Sequence, residues 1–410
     1  MVTIDDIRAA QVTLKNVASH TPMLPDNKLS KELDAKVSVK AECLQRSGSF
    51  KLRGAYNKIS KLSEEERRRG VVTASAGNHA QGVALAASLN GIKSTIVLPE
   101  FAPLTKIVAT RNFGGEVILK GATFDESVEH SRELERAHGY TYVHAFDDEQ
   151  VIAGQGTIGL EIAADLPDVN VVVIPIGGGG LISGIAIALK SLIPEIRIVG
   201  VQAENVAPIK TSFEKGEAVA LQNYSPTIAD GIAVKKPGEV TFPIIQEYVD
   251  EIVSVSEEEI ARGIFHCVTS GRLVVEGAGA AGLAALLARK IEIKPGESVC
   301  TVLCGGNIDG NLLARIIEQV LVRQGRYAIF KLLVLDRPGT LAEMLNHVAE
   351  TGANVVEVYH QRAIWLAPLG RVGIEVILEV RDEDHTREVM RHMEKQGYHV
   401  ERQGQGDWEE

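Results

Sequence analysis

The 19 residues from Val171 to Leu189 carry no charge, and no other stretch constrains the fold as much. The run is long enough to cross a bilayer. Pro175 and the four consecutive glycines Gly177, Gly178, Gly179 and Gly180 divide it instead into an apolar strand, a tight loop and an apolar helix. Val171–Ile174 has no polar side, which suits a strand covered on both faces. Strands of that kind belong to parallel sheets flanked by helices, so the expected class is α/β. The loop has chemical meaning too. Glycines let successive N–H groups turn inward and the helix start adds positive potential, so a phosphate fits there. No Lys-Ser/Thr pair follows, which excludes a P-loop for a nucleoside triphosphate.

The chain before and after this run alternates in keeping with it. A helix is expected at about 4–18, then a polar link with Pro22 and Pro25, and a strand at about 36–41. A helix opened by Ser49 runs to about Leu62, and a short one capped by Ser63 and Glu66 stops at Gly70. Strands at about 71–73, 94–98, 116–119 and 141–143 alternate with helices at about 77–89, 103–112, 123–138 and 149–165. The second half continues with a strand at about 197–202, helices at about 181–192 and 206–216, and a loop-rich stretch at about 217–238. Ser256 with Glu259 caps a further helix, and a helix at about 276–289, a strand at about 298–303 and a helix at about 312–323 complete the body. Beyond it, roughly residues 327–402 follow a β-α-β-β-α-β order, a ferredoxin-like unit and a separate domain. Residues 323–326 are a linker, and 403–410 have the polar, glycine-rich character of a flexible tail.

The formal net charge of −11 argues against a nucleic-acid partner, whose phosphates require a basic footprint. Cys43, Cys267, Cys300 and Cys304 contain no C-x-x-C pair or zinc spacing, and suit reduced thiols in a cytoplasm. The N-terminus lacks the basic and apolar regions of a signal peptide, and no membrane segment is expected.

Several stretches carry possible chemistry. In Ser47-Gly48-Ser49-Phe50-Lys51-Leu52-Arg53-Gly54-Ala55 a lysine stands at a helix start, with Ser49 as the expected N-cap. The positive end of the dipole favours the neutral, nucleophilic amine that a covalent lysine needs. Ser75-Ala76-Gly77-Asn78-His79 joins a strand to a helix and offers free N–H groups suited to a carboxylate, though an ordinary turn would look the same. Cys304-Gly305-Gly306-Asn307 ends a strand, where α/β sheets place ligands, yet Cys304 shares a face with Cys300 and Val302 and could equally be core. Gly277-Ala278-Gly279-Ala280-Ala281-Gly282 satisfies G-x-G-x-x-G. A charged stretch with Pro295 follows where the acidic residue should stand, so close helix packing is expected rather than dinucleotide binding.

Together these motifs resemble the fold-type II pyridoxal phosphate enzymes of the threonine dehydratase and serine racemase branch, over roughly residues 1–322. The resemblance implies a tryptophan synthase β-like fold of two open α/β subdomains, the smaller at about 52–145, and pyridoxal 5′-phosphate as cofactor. It implies that Lys51 carries the cofactor covalently, that Gly177 to Gly180 hold its phosphate, and that Asn78 bonds its ring hydroxyl. Phe50 would lie beside the ring, Gly231 near its carbonyl side, and Cys304 would face the pyridine nitrogen in place of a serine. Ser75, Ala76, Gly77, Asn78 and His79 would grip the substrate carboxylate. Residues 327–402 look like an amino-acid-sensing ACT domain.

The implied activity is deamination of L-threonine to 2-oxobutanoate and ammonia, with L-serine as a second substrate, within amino-acid metabolism and isoleucine biosynthesis. Related racemases place a serine where Ala76 stands, so racemisation is not expected. Relatives with a divalent cation pair a glutamate with an aspartate six residues later. Here Glu204 is followed by Lys210, so no obligatory metal is expected. The alternatives are an L-serine dehydratase or racemase, β-replacement as in cysteine synthesis, and a non-catalytic amino-acid-binding regulator. An amino-acid effector is expected at the turn Asp336–Gly339 and at Asn354, in a homodimer or homotetramer.

Overall fold

The computed structural model describes residues 1–361 and 368–403; Gln403, expected to open the tail, instead ends the last strand, and the rest of that tail lies outside the described residues. The chain divides into two compact units, Met1–Gly310 and Asn311–Glu410.

The larger unit opens with α1 (Ile4–Leu14), β1 (Met23–Pro25), α2 (Asn27–Leu33) and β2 (Lys36–Lys40). Then come α3 (Lys51–Ser60), α4 (Glu64–Arg69), β3 (Val71–Ala74), α5 (Asn78–Leu89) and β4 (Ser94–Leu98). Next are α6 (Leu104–Asn112), β5 (Glu116–Leu119), α7 (Phe124–His138), β6 (Thr141–Tyr142) and α8 (Glu149–Asp165). The chain continues through β7 (Val171–Pro175), α9 (Gly180–Leu192), β8 (Arg197–Ala203), α10 (Pro208–Lys215) and α11 (Thr241–Tyr248). It closes with β9 (Glu251–Val255), α12 (Glu257–His266), α13 (Gly277–Leu287) and β10 (Ser298–Val302).

These strands form two sheets. The first has the order β1-β2-β10-β7-β8-β9, and the second β5-β4-β3-β6. Every pairing is parallel except β1 on β2. All five residues of β7 are buried, as a strand covered on both faces must be. Its side chains Val172 and Ile174 join Ile182, Ile185 and Ile198 in the main core. The second sheet has its own core of Leu52, Ile59, Val71, Val83 and Ile96. Helices α8 and α9 meet at glycines: a Cβ on Gly184 would stand 2.4 Å from the Ile152 carbonyl.

The capping boxes at Ser63–Glu66 and Ser256–Glu259 form as their spacing requires. Ser49 does not cap. Its backbone pairs with Gly305, its hydroxyl is buried without a partner, and α3 begins at Lys51 with Phe50 in the capping position. The polar link around Pro22 and Pro25 contains β1 and α2, and α11 and β9 precede the Ser256 cap. Each was hidden for a physical reason. β1 is a three-residue edge strand ending in proline, and α11 carries Pro243 in its first turn, where no intrahelical N–H bond is lost.

The second unit contains α14 (Gly310–Arg323), β11 (Tyr327–Leu335), α15 (Thr340–Glu350), β12 (Asn354–Gln361), β13 (Arg371–Glu379), α16 (Glu383–Lys395) and β14 (Val400–Gln403). Its antiparallel sheet has the order β12-β13-β11-β14, giving the ferredoxin-like βαββαβ arrangement. Phe330, Leu332, Val334, Val376 and Val389 fill its separate core.

Candidate active site

The carboxyl ends of β3, β7 and β10 supply one site, as expected for open α/β sheets. Lys51 is the first residue of α3, and its position is fixed from behind: the Phe50 N–H donates to the Cys304 carbonyl at 3.1 Å. Its Nζ donates to the Ala145 carbonyl at 2.8 Å and lies 5.0 Å from the Phe50 ring centre. Burial lowers the amine from its ordinary 10.5 to about 8, against the opposing pull of Cys304 and Glu276. Desolvation therefore makes this lysine nucleophilic.

Gly177–Gly180 lead from β7 into α9. The Ser183 N–H is the first to bond back, to the Gly179 carbonyl at 2.9 Å. The N–H groups of Gly180, Leu181 and Ile182 therefore have no acceptor within the helix. All three residues are buried. A Cβ would clash or be strained at Gly178, Gly179 and Gly180. Gly179 sits at φ +95°, and a Cβ on Gly178 would fall 2.3 Å from the Phe146 ring. Buried donors converging around a loop with no Cβ fit the phosphate of the expected cofactor.

The loop after β3 brings Ser75–His79 to the same place, and α5 starts at Asn78 with free N–H groups. His79 has another task. Its Nε2–H donates to the Val143 carbonyl at 2.9 Å, and burial pushes its pKa down to about 3. The ring stays neutral and anchors the loop, leaving the backbone N–H for a ligand. Ala76 brings no ionisable group.

Asn78 joins the two sheets. Its Nδ2 donates to Glu276 Oε1 at 2.5 Å, and its Oδ1 accepts from Asn307 Nδ2 at 2.7 Å. Asn307 thereby fixes which end of the Asn78 amide is the donor. Glu276 precedes α13, is buried, and has its pKa raised to about 7, first by burial and then by Asp230. The sequence analysis gives Glu276 no role and names Asn307 only as the end of the Cys304-Gly305-Gly306-Asn307 stretch. A carboxylate between an apolar run and a glycine-rich helix, Val275-Glu276-Gly277, was the available signal for the first.

Gly231 lies in a turn at Asp230–Ile232, where a Cβ would stand 2.9 Å from the Ala278 methyl and 3.5 Å from Glu276 Oε1. Cys304 is buried, its Sγ–H donates to the Ala278 carbonyl at 3.5 Å, and burial raises its pKa, so it is a neutral thiol. Gly277, Gly279 and Gly282 serve close packing. A Cβ on Gly279 would stand 2.4 Å from the Gly305 carbonyl.

The structure thus brings together Phe50, Lys51, Asn78, the four glycines, Gly231 and Cys304, and they suit a phosphorylated pyridine aldehyde. The profile of the pyridoxal-phosphate dependent enzymes matches residues 14–305. This chain belongs to that family. It is 52% identical over 400 residues to the L-threonine ammonia-lyase of Thermotoga maritima, covering 98% of this chain and 99% of the relative. Among solved structures, threonine deaminase isoform 2 of Solanum lycopersicum matches with a TM-score of 0.74 at 42% identity, over 78% of this chain and 87% of that one. Maize serine racemase matches with a TM-score of 0.74 at 33% identity, over 78% and 98%.

Lys210 Nζ lies 4.0 Å from Glu214, while Glu204 is exposed. In the C-terminal unit, Asp336 and Gly339 line a hollow of about 230 Å³ with Arg337, Thr340, His360 and Ile374. Asn354 is not part of it. β13 pairs Arg371 with Leu335 at one end and Glu379 with Asn354 at the other, so Asn354 lies at the opposite end of the sheet. No helix among the described residues is long and apolar enough to cross a membrane.

Proposed function

We propose that the chain is an L-threonine ammonia-lyase, releasing 2-oxobutanoate and ammonia, with L-serine giving pyruvate as a slower reaction. The observation that carries this reading is the Lys51 amine, desolvated to a pKa of about 8 between a phosphate cradle and a carboxylate loop. Pyridoxal 5′-phosphate, when bound, supplies the aldehyde for this amine and an electron sink that acidifies the substrate Cα–H. The backbone N–H groups of Ala76, Asn78 and His79 orient the substrate carboxylate, while that of Ser75 is tied to the Val97 carbonyl at 3.2 Å. Lys51, as a free neutral amine, takes the Cα proton. The β-hydroxyl then departs as water, and hydrolysis of the resulting enamine yields the oxo acid and ammonia. Cys304 stays a neutral partner for the ring nitrogen, and Asn78, set by Asn307, presents its amide donor.

Ala76 decides between elimination and racemisation. Inverting Cα requires a proton donor on the face opposite Lys51, and a methyl group has none. The test is product analysis on L-threonine, L-serine and their D-isomers with purified, cofactor-loaded protein. Oxo acid from L-threonine, lost with the visible absorbance of the lysine-bound cofactor in Lys51→Ala, is the expected result. D-serine formed faster than pyruvate would favour the racemase reading instead.

Residues 327–402 are read as an ACT domain whose hollow at Asp336–Gly339 takes an amino-acid effector, in a homo-oligomer. Gly339 sits at φ +94° before α15, a conformation that favours glycine, and the hollow lies at the start of that helix, whose positive end suits a carboxylate. Titrating serine, threonine and branched-chain amino acids against activity checks it. A Gly339→Ala variant with an unchanged response would remove the effector from this turn.

A further inference from the structure

The C-terminal unit carries a cluster that neither the fold nor the reaction uses. His347 and Glu350 stand three residues apart in the last turn of α15, on one helix face. His392 reaches the same point from α16. Glu350 Oε2 lies 3.3 Å from His347 Nδ1 and 3.0 Å from His392 Nε2. One ligand atom from each residue lies within 4.8 Å of the other two. A tetrahedral ion bound at about 2.0–2.1 Å by nitrogen and oxygen holds neighbouring ligands about 3.3–3.4 Å apart. The two carboxylate–imidazole spacings are already close to that edge.

We propose that His347, Glu350 and His392 bind one divalent transition ion of the Zn²⁺, Co²⁺ and Ni²⁺ class, clipping α15 to α16. Two imidazoles and a carboxylate suit such ions, whereas Mg²⁺ and Ca²⁺ require mostly oxygen. The negative end of the α15 dipole lies at this turn and favours a cation. Arg391 and Lys395 line the adjoining hollow with Glu388. Their charge opposes ions held by electrostatics alone and leaves the advantage to metals that bond imidazole strongly. Three protein ligands leave a fourth position for water. All three side chains are partly exposed, so the ion can enter from solvent. The metal takes the place of the two imidazole–carboxylate contacts, using the same ring nitrogens and carboxylate oxygen as ligands.

The test uses the intact, cofactor-loaded enzyme, stripped with a chelator and titrated with Co²⁺. The expected result is one equivalent per chain with the visible d–d absorption of a tetrahedral site, displaced by Zn²⁺. His392→Ala and Glu350→Gln should each weaken binding at least tenfold, with the far-ultraviolet circular dichroism unchanged. Absence of the d–d band would overturn the proposal. So would a band of equal strength in the His347→Ala/His392→Ala double variant, which would place the ion elsewhere and leave the trio an ion-pair cluster.

Discussion

Lys51 illustrates how a single residue acquires chemistry from its surroundings. The sequence marks it as a helix-start lysine, and the fold supplies the desolvation that lowers its pKa. Its amine should therefore deprotonate near pH 8, not near 10.5. The rate at which apoenzyme takes up pyridoxal phosphate, followed by absorbance, should rise with pH and level off above about 8. Continued increase to pH 10 would mean a solvated lysine. Glu276 shows the opposite case. Its carboxyl is raised from 4.5 to about 7 by burial, so the native state keeps a proton that the unfolded chain has lost between those values. Stability contributed at this residue falls as pH rises through that window, by up to about 3 kcal/mol. Glu276→Gln removes the ionisation and keeps an acceptor for Asn78. Its melting temperature should exceed the wild type's at pH 8 and converge with it near pH 4.5. A pH-independent difference would show that the carboxyl is not held neutral by burial. The roles of Glu276 and Asn307 escaped sequence reasoning because they are relational: one carboxylate and one amide matter only once Asn78 lies between them.

At the scale of elements, α3 is held by Arg53, two residues after the lysine. Its guanidinium bonds Glu42 at 2.7 and 3.0 Å, Glu161 at 2.6 and 3.0 Å, and the Ser19 carbonyl at 3.1 Å. Arg53 and Glu42 are almost fully buried. Removing the cation leaves the buried Glu42 without its ion-pair partner, at a cost of about 3–5 kcal/mol, while Glu161 keeps Lys40 at 2.8 Å. Arg53→Met should lower the urea midpoint accordingly and loosen retention of the cofactor, since α3 carries Lys51 at its first turn. Arg53→Lys keeps the charge but cannot make the paired two-carboxylate contact, so it should fall between them. A midpoint within 0.5 kcal/mol of wild type in Arg53→Met would sink this account. Much of the element order was legible because its signals are local: the apolar run of β7, the boxes at Ser63 and Ser256, and Gly70 after α4. β1, α2, α11 and β9 were not. β1 and α11 carry proline, β9 has an edge strand's mixed polarity, and α2 is only seven residues long.

For the whole molecule, the two units have separate cores, one around Ile174, Ile185 and Ile198 and the other around Phe330, Val334 and Val376. Each core is closed by its own sheet, and the sheets share no strand. Separate cores favour separate cooperative transitions, so thermal unfolding should not fit one two-state step. A ligand stabilises only what it binds when native, by about 4 kcal/mol at a thousandfold excess over its dissociation constant. Every residue assigned to the cofactor, from Phe50 to Cys304, lies in Met1–Gly310. Differential scanning calorimetry should therefore show two transitions, with pyridoxal phosphate raising the larger-enthalpy one and leaving the smaller in place. An amino acid held at Asp336–Gly339 should do the reverse, because among the described residues that hollow is lined by positions between 334 and 374. If both transitions rise together with either ligand, the units unfold as one cooperative body, and regulation would then act through that shared stability rather than through a separately folding sensor.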